Sequence, residues 1–271
     1  MYPASLAGLR QVLSDAAEGG CFALAYSGGL DSRFLAHAAG LFGLKPLLLH
    51  VTGPHVPPEE TDFARAWAEK NALPFREAAV DPLSLPLVAA GSRERCYACK
   101  KKLFTCLLAE TSLPLCDGTN ASDTSAYRPG IRAVRELGVL SPLALAGFGK
   151  KEIHFFAEAT GMEQPLQKAR PCLLTRLPYG AKPTGKMLAA IASGEKAARV
   201  SLASAGLPEA DLRLRLIAPE RLELHLIDSD MEKLSAPSRE ELVRNIHAAM
   251  PGYPRPVLSA QASLSGFFDR T

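Results

Sequence analysis

The sequence predicts an α/β protein in which a doubly wound, mostly parallel sheet precedes a smaller C-terminal α+β domain. Apolar runs alternate with helical patterns through the first half of the chain. A glycine turn, Ser27-Gly28-Gly29, lies between the first apolar run and the helical pattern that follows it. From Pro183 onward the pattern changes to helix, two strands and helix. We therefore expect one domain over residues 1–180 and a second over residues 181–271.

The first domain is predicted to alternate strands and helices. An amphipathic helix over residues 3–18 ends at Gly19-Gly20, and a strand over 21–26 leads into the glycine turn. Further strands are expected at 45–51, 74–80 and 114–117. Pro58 and the acidic residues after it are typical of a helix start, and that helix is expected to end near residue 71. Helices are also predicted at 97–110 and 150–160, a loop at 81–95, a basic turn at 127–130 and an irregular segment at 165–180.

The second domain is predicted from three local patterns. A helix is expected over residues 183–205, followed by strands at 212–217 and 221–227. Ser238-Arg239-Glu240-Glu241 has the spacing of a capping box and predicts a helix from there to about residue 250. The last twenty residues have no assigned structure.

Composition limits the classes of function. The 271 residues are 47% hydrophobic and 22% charged, which indicates a substantial core. The net charge of +3 is too small to predict a nucleic-acid partner. No apolar run reaches the ~20 residues of a membrane span, and the first residues do not have the pattern of a signal peptide. We expect a cytoplasmic protein whose six cysteines are thiols or metal ligands.

The glycine turn predicts an anion site. Glycines let the backbone approach a phosphate, and the first N–H groups of the following helix point at it. Two hydroxyls and the Asp31 carboxylate complete the turn, and a carboxylate there would hold Mg²⁺ beside phosphates. The alternative interpretation is a Gly-Gly turn before an ordinary helix. The residues Ser27, Gly28, Gly29, Leu30, Asp31 and Ser32 resemble the PP-loop, S-G-G-x-D-S, of the ATP pyrophosphatases.

A second segment is predicted to lie beside this turn. Gly118, Thr119 and Asn120 follow the strand at 114–117. Ligands of open α/β sheets bind outside the carboxyl ends of the strands. These three residues are therefore expected near the nucleotide.

The cysteines divide into two groups. Cys96 and Cys99 lie three residues apart at a predicted helix start, among cations that favour thiolates. Half of a zinc site, a redox dithiol or two packed side chains remain open as alternatives, since a lone CxxC decides nothing. Cys172 lies on a loop expected to face the nucleotide. Three others, Cys21, Cys106 and Cys116, are predicted to be core residues.

Six segments together resemble the LarE-type ATP-dependent sacrificial sulfur transferases, over roughly residues 20–225. In chain order they are residues 27–32, 95–100, 117–120, 127–130, 141–143 and 171–180. The resemblance implies an adenine nucleotide alpha hydrolase-like fold. It also implies adenylation of a carboxylate on a pyridinium mononucleotide with release of AMP and pyrophosphate, followed by sulfur delivery to that carboxylate. This reaction belongs to the synthesis of the nickel-pincer nucleotide cofactor.

The resemblance also implies roles for individual residues. ATP would bind at the PP-loop with Mg²⁺, and Cys172 matches the sulfur-bearing cysteine of the family. Some members spend that cysteine's own sulfur, whereas others carry sulfide on a [4Fe-4S] cluster held by three cysteines. Cys96 and Cys99 beside Cys172 resemble the second type.

The resemblance implies that basic residues contact the small nucleotide-like carboxylate substrate. Arg128 and Arg176 lie in the matched segments, and Arg213, Arg215 and Arg221 stand where the family has a basic strand pair that binds the substrate phosphate. For the last three the alternative interpretation is exposed strand residues. The family also implies a homo-oligomer, but the tail after residue 228 departs from its pattern.

Two other functions remain open from the sequence. A tRNA thiolation enzyme, or another adenylating sulfur transferase of this superfamily, also joins a PP-loop to cysteines, but the weak charge disfavours RNA. A nucleotide- or metal-sensing module would need no catalysis, and the Asp31 carboxylate with the paired thiols argues against it.

Overall fold

The computed structural model describes residues 4–125 and 129–270. The chain divides into two compact units, one of residues 1–88 and 94–170 and one of residues 89–93 and 171–271.

The first unit alternates strands and helices. Its elements are α1 (Leu6–Ala16), β1 (Cys21–Ala25), α2 (Leu30–Leu41), β2 (Lys45–Thr52), α3 (Pro58–Lys70), β3 (Phe75–Ala79), α4 (Pro86–Ala89, at the unit boundary), α5 (Arg95–Ala109), β4 (Leu115–Asp117), a 3₁₀ turn (Ala121–Ser125), α6 (Pro129–Glu136), α7 (Pro142–Leu145) and α8 (Lys150–Ala159). Within the described residues the strands form a parallel sheet in the order β3-β2-β1-β4. This arrangement confirms the predicted α/β fold with a parallel sheet.

Strand β1 is central because its side chains alternate between two apolar cores. Leu24 packs in a cluster with residues of α1, α2, α3 and α8. Ala23, on the other face, packs in a cluster with residues of α5 and α6. Both clusters are buried, so the sheet is covered by helices on its two faces, as the near-continuous apolar strand sequences require.

The second unit contains helices and a mixed sheet. Its elements are a 3₁₀ turn (Leu173–Arg176), α9 (Gly185–Ser204), β5 (Leu212–Ala218), β6 (Arg221–Ile227), α10 (Asp228–Glu232), α11 (Ala236–Ala249), β7 (Val257–Gln261) and a second 3₁₀ turn (Phe267–Asp269). Strand β6 pairs antiparallel with β5 and parallel with β7. Helix α9 packs against α11 and β5.

The predicted capping box at Ser238 is wrong. Helix α11 begins at Ala236, and its N-cap is Ser235, whose hydroxyl oxygen accepts a hydrogen bond from the Ser238 N–H at 3.2 Å. Pro237 lies in the first turn, where proline is tolerated because that turn's N–H groups have no intrahelical acceptor. The helix therefore starts three residues earlier than the capping-box pattern indicated.

Other local predictions also change. The loop expected over 81–95 contains the short helix α4, and the unassigned tail contributes strand β7. In the turn predicted at 127–130, Tyr127 and Arg128 lie outside the described residues, and helix α6 begins at Pro129. Cys116 is buried as predicted, whereas Cys21 and Cys106 are only half-buried.

Among the described residues, no helix combines the length and the apolar character that crossing a membrane requires.

A substitution at Gly194 in α9 would test how tightly the second unit is packed. A Cβ atom added there would lie 2.5 Å from Met250 Sδ and against Leu214 Cδ2, and both side chains are buried. Overpacking of this kind costs about 1–3 kcal/mol, which exceeds the ~1 kcal/mol that alanine gains over glycine in a helix. Gly194→Ala should therefore lower the free energy of unfolding in urea.

Gly40→Ala is the matched control for this change. Gly40 is an exposed residue of α2 with no atom within 4 Å of an added Cβ, so only the helix preference acts there. Its variant should be unchanged or more stable by up to about 1 kcal/mol. A Gly194→Ala protein as stable as the Gly40→Ala protein would contradict the packing argument.

Candidate functional site

The turn between β1 and α2 is closed by its two serine hydroxyls. Ser27 Oγ accepts a hydrogen bond from the Gly29 N–H at 3.2 Å and lies 3.2 Å from Ser32 Oγ. Ser32 Oγ donates to the Gly29 carbonyl at 3.1 Å. Gly29 is the N-cap of α2 and provides no side-chain cap, so the N–H groups of Leu30, Asp31 and Ser32 have no acceptor within the helix. This helix start is suited to an anion.

Two glycines allow the backbone to pack closely around the turn. Gly28 has φ of +75°, and an added Cβ would lie 2.9 Å from Ala64 Cβ of α3. At Gly118, after β4, an added Cβ would lie 3.0 Å from Ser32 N. Larger residues at these positions would strain the backbone or fill the space beside the helix start. The predicted segments 27–32 and 118–120 are thus neighbours in the structure.

Three side chains meet at the start of α2. Asn120 Nδ2 donates to Asp31 Oδ2 at 3.0 Å, and Lys150 Nζ lies 2.6 Å from both carboxylate oxygens of Asp31. The Asp31 side chain is 20% exposed and that of Lys150 is 45% exposed. The partly exposed Asp31 carboxylate and Lys150 ammonium group therefore lie together with the buried Asn120 amide, beside N–H groups that have no acceptor within α2.

The loop after β4 is held by hydrogen bonds to the Asp117 carboxylate and to the Asn120 amide oxygen. Asp117 accepts hydrogen bonds from Thr119 Oγ1 at 2.5 Å and Ser141 Oγ at 2.7 Å. Asn120 Oδ1 accepts from the N–H groups of Ser122 and Asp123. Thr119 and Asn120 are buried, so their side chains fix the loop rather than extend into solvent.

Lys150 was not among the predicted site residues. Its position follows from a contact across 119 residues, since it begins α8 and reaches Asp31 at the start of α2. Its backbone N–H also donates to Ser122 Oγ at 3.1 Å. The only sequence signal was a lysine at a predicted helix start, which is too common to indicate a site.

Cys96 and Cys99 lie in the first turn of α5, as predicted. Cys99 is buried and Cys96 is half-buried. Tyr97 joins this helix start to α6. The guanidinium carbon of Arg132 lies 3.7 Å from the centre of the Tyr97 ring, and the Tyr97 hydroxyl donates to Glu136 at 2.6 Å. The thiols are therefore held on an ordered helix start.

Cys172 belongs to the second unit and precedes a 3₁₀ turn. Its carbonyl accepts hydrogen bonds from the Thr175 N–H at 3.1 Å and from Thr175 Oγ1 at 2.8 Å. The side chain is half-buried. The convergence of Cys172, in the second unit, with Cys96 and Cys99, in the first, stays a prediction. In the described residues no three His, Cys, Asp or Glu side chains are grouped to hold a metal ion.

Arg176 fixes the backbone around Cys172. Its Nη1 donates to the Pro171 carbonyl at 3.2 Å and to Thr175 Oγ1 at 2.7 Å. Its Nε and Nη2 donate to the two carboxylate oxygens of Glu195 at 2.6 and 3.1 Å, and both side chains are 1% exposed. Arg176, predicted as a substrate ligand, has its donors engaged within the protein.

The Glu195 carboxylate accepts hydrogen bonds from several parts of the second unit. Besides Arg176, it accepts from the Leu214 N–H of β5 at 3.0 Å and from Arg199 at 3.4 Å. Burial alone would raise the pKa of Glu195, but the charges and hydrogen bonds of these partners outweigh it, and its pKa is lowered. The carboxylate therefore stays ionised and joins the Cys172 turn, α9 and β5.

Arg213 and Arg215 are buried, which contradicts their interpretation as exposed strand residues. Arg213 is paired with Asp211 at 2.5 Å. Burial, reinforced by the positive charges of Arg176 and Arg213, lowers the pKa of Arg215 to about 10. Arg221 is exposed and paired with Glu223. The second unit thus concentrates buried positive charge beside β5.

Arg215 is engaged by β6 and by the tail. Its Nη1 donates to His225 Nδ1 at 2.5 Å, so the proton of the neutral imidazole lies on Nε2, which donates to Glu223 at 2.7 Å. Burial lowers the pKa of His225, in agreement with a neutral ring. Nη2 donates to the Leu264 carbonyl at 2.5 Å, and Phe267 lies 4.8 Å from the guanidinium. Nε is buried and has no hydrogen-bond partner among the described residues.

Comparisons with known proteins add a named relative. The chain is 33% identical over 177 residues to an uncharacterized protein of Synechocystis and 31% identical over 160 residues to one of Methanocaldococcus jannaschii. These matches cover 64% and 58% of this chain, and they span less than two thirds of each relative, 66% and 60%. No protein-family model matches the sequence.

The third relative is the pyridinium-3,5-bisthiocarboxylic acid mononucleotide synthase of Lactiplantibacillus plantarum. It is 28% identical over 196 residues, which are 70% of each chain. The similarity supports the resemblance to the LarE-type proteins found in the sequence motifs.

Glu195→Gln should reveal the buried ion pair through the pH dependence of stability. Because the folded-state pKa lies below the unfolded value of about 4.3, the stabilisation is present above that pH and lost as the pH falls through the folded-state pKa. The variant should be less stable by about 3 kcal/mol at pH 7, and the difference should shrink below about pH 4. Urea unfolding of both proteins between pH 7 and pH 3 measures it.

Glu240→Gln is the surface control in the same unit. Glu240 pairs with Arg255, and both side chains are more than half exposed, so its loss should cost less than about 1 kcal/mol. A Glu195→Gln difference that stays constant across this pH range would contradict the assignment.

Proposed function

We propose that the chain is an ATP-dependent sulfur transferase that adenylates a substrate carboxylate and then delivers sulfur to it. The substrate class is a pyridinium mononucleotide of nickel-pincer nucleotide synthesis. The observation that carries the proposal is the cluster of Asp31, Asn120 and Lys150 at the start of α2. The name of the Lactiplantibacillus relative supports the substrate class.

The phosphates of ATP would bind at the turn of residues 27–32. The N–H groups at the start of α2 would donate to phosphate oxygens, and the helix dipole favours negative charge there. Gly28 and Gly118 leave room for this approach because neither carries a Cβ. Lys150 would exchange part of its contact with Asp31 for a phosphate oxygen, which its exposed side chain allows.

Asp31 fits a Mg²⁺ ion that accompanies ATP. Mg²⁺ is usually held by one or two carboxylates together with phosphate oxygens, and Asp31 supplies a carboxylate beside the predicted phosphate position. The ion would neutralise charge on the phosphates.

Adenylation would turn the substrate carboxylate into a reactive acyl group. A carboxylate oxygen attacks the α-phosphorus, the bond from that phosphorus to the β-phosphate oxygen breaks, and pyrophosphate leaves. Lys150 and the helix N–H groups would stabilise the negative charge that grows on the phosphate oxygens. The product is an acyl adenylate, whose AMP is a far better leaving group than an oxide.

Sulfur delivery would use Cys172. Its thiolate attacks the acyl carbon, a C–S bond forms and AMP leaves with the electron pair of the broken C–O bond. Loss of the Cα proton then breaks the Cβ–S bond, which leaves dehydroalanine on the protein and a thiocarboxylate on the product. The turn held by Thr175 and Arg176 would position the cysteine for this step.

A cluster on Cys96, Cys99 and Cys172 is the alternative sulfur source. Their three thiolates would hold a [4Fe-4S] cluster, whose open iron position would supply sulfide.

Arg213, Arg215 and Arg221 would bind the substrate phosphate. The buried positive charge beside β5 favours an anion, and Arg215 Nε has no acceptor in the part of the chain that the structure describes. Because Leu264 and Phe267 cover Arg215, the tail would have to move for direct contact. We also propose a cytoplasmic homo-oligomer.

Incubation with ATP, Mg²⁺ and a pyridinium carboxylate mononucleotide should give AMP and pyrophosphate. Lys150→Ala should reduce AMP formation about 10²–10³-fold, because it removes a charge that stabilises the transition state. Asp31→Ala should abolish turnover. Lys151→Ala, which changes the exposed neighbour in the same helix, is the control and should behave as the native protein. Release of ADP and phosphate instead of AMP and pyrophosphate would refute the assignment.

Intact mass after reaction separates the two sulfur sources. If Cys172 gives its own sulfur, each turnover leaves the chain lighter by one H₂S, and a Cys96→Ala, Cys99→Ala double variant stays active. If a cluster delivers sulfide, anaerobically reconstituted protein with added sulfide performs several turnovers without dehydroalanine, and each single Cys→Ala variant is inactive. Mass spectrometry of position 172 after a single turnover distinguishes them.

A further inference from the structure

The segment Glu163–Arg170 connects α8 to the turn that contains Cys172. It has no regular secondary structure, and its last residue lies two positions before that cysteine. Gln164 has φ of +50°, a left-handed conformation that a residue with a side chain adopts rarely. Such a segment needs contacts from outside itself to keep one conformation.

Arg33 supplies most of these contacts. It follows Ser32 in α2, and its guanidinium donates to the Glu163 carbonyl at 2.7 Å and the Gln164 carbonyl at 3.0 Å. It also donates to Gln167 Oε1 through Nη2 at 2.8 Å and Nε at 3.2 Å. One side chain therefore binds three residues of the segment.

The burial of Arg33 makes these bonds obligatory. The residue is 0% exposed, and its guanidinium lies over the rings of Phe63 and Trp67 at 5.4 and 6.0 Å. A buried guanidinium without hydrogen-bond acceptors costs free energy. If the carbonyls of the segment moved away, the Arg33 guanidinium would stay buried without acceptors, so this movement is unfavourable. Arg33 therefore fixes the position of the segment relative to α2, the helix that follows the turn of residues 27–32.

Surface contacts hold the same segment more weakly. Lys70 of α3 pairs with Glu163 at 2.8 Å, His154 of α8 lies 2.9 Å from the Pro165 carbonyl, and Arg170 pairs with Glu60 at 3.0 Å. The side chains of Lys70, Glu163 and Arg170 are at least 40% exposed, and exposed ion pairs contribute little. Arg33 is the buried member of the set.

We propose that Arg33 is a positioning residue for sulfur transfer, because it fixes the point from which the chain enters the Cys172 turn. The inference rests on the proposed function, in which Cys172 reacts with the adenylate bound at the start of α2. Arg33 touches neither ATP nor substrate. It acts through the carbonyls of Glu163 and Gln164 and the side chain of Gln167.

The experiment compares Arg33→Met with Gln167→Ala, which breaks the same contact from the other side. Each variant should form AMP within about twofold of the native rate, whereas thiocarboxylate formation should fall about tenfold or more, since small misplacement of a reacting group has effects of this size. Alkylation of Cys172 by iodoacetamide, followed at the peptide level by mass spectrometry, should become several-fold faster.

Two controls separate positioning from general damage. Gln167→Glu keeps an acceptor for Arg33 and should restore native sulfur transfer and alkylation. Arg65→Met removes an arginine of α3 that pairs with Glu77 and Asp62 and should change neither measurement.

Each outcome has a distinct meaning. Native protein that forms no AMP would overturn the proposed function, while the alkylation rates would still test Arg33. Unchanged alkylation in both Arg33→Met and Gln167→Ala, or equal loss of AMP formation and sulfur transfer, would overturn the positioning role. If Arg33→Met fails to fold, Gln167→Ala and its Gln167→Glu partner carry the test.

Discussion

The parallel register of β1 between β2 and β4 is the constraint on which the first unit depends. Ala25 pairs with Leu49 on one side and Asp117 on the other, so the chain leaves β1 and β4 at the same edge of the sheet. The two departing segments are so close that a Cβ at Gly118 would lie 3.0 Å from Ser32 N. Asp31 and Asn120 follow β1 and β4 and can meet because of this register, since a shift in the pairing would move the two strand ends apart.

Buried arginines hold the irregular parts of the chain. Arg33 binds backbone carbonyls of residues 163 and 164, and Arg176 binds the carbonyl of Pro171. Loops leave their carbonyls without regular partners, and a guanidinium carries five donors in a rigid fork. One arginine can therefore order several loop residues, and its burial makes the arrangement costly to open. Both arginines bind backbone carbonyls that precede Cys172 in the chain.

Some buried charged side chains of the second unit are engaged in structural ion pairs and are therefore not free to bind a ligand. Glu195 neutralises Arg176 and binds β5, so its loss would leave a buried cation unpaired. Arg215 is different, because burial and neighbouring arginines lower its pKa and its Nε lacks an acceptor. An anion would improve the electrostatics of this region. The tail residues Leu264 and Phe267 cover Arg215, so access to it depends on the tail.

Local chemistry let the sequence determine the strands, the glycine turn and the helix starts of the first unit. Period-two and helical patterns, glycines and prolines act within a few residues, which is why segments 27–32 and 118–120 were predicted as neighbours. The same reasoning failed at Ser238, because Ser235 competes for the same helix start. Only the tertiary structure decided that Lys150 reaches Asp31, that Arg33 binds the segment before Cys172 and that Arg213 and Arg215 are buried. Those contacts join residues far apart in the chain or depend on burial, and a long polar side chain has the same local pattern whether it lies in solvent or inside.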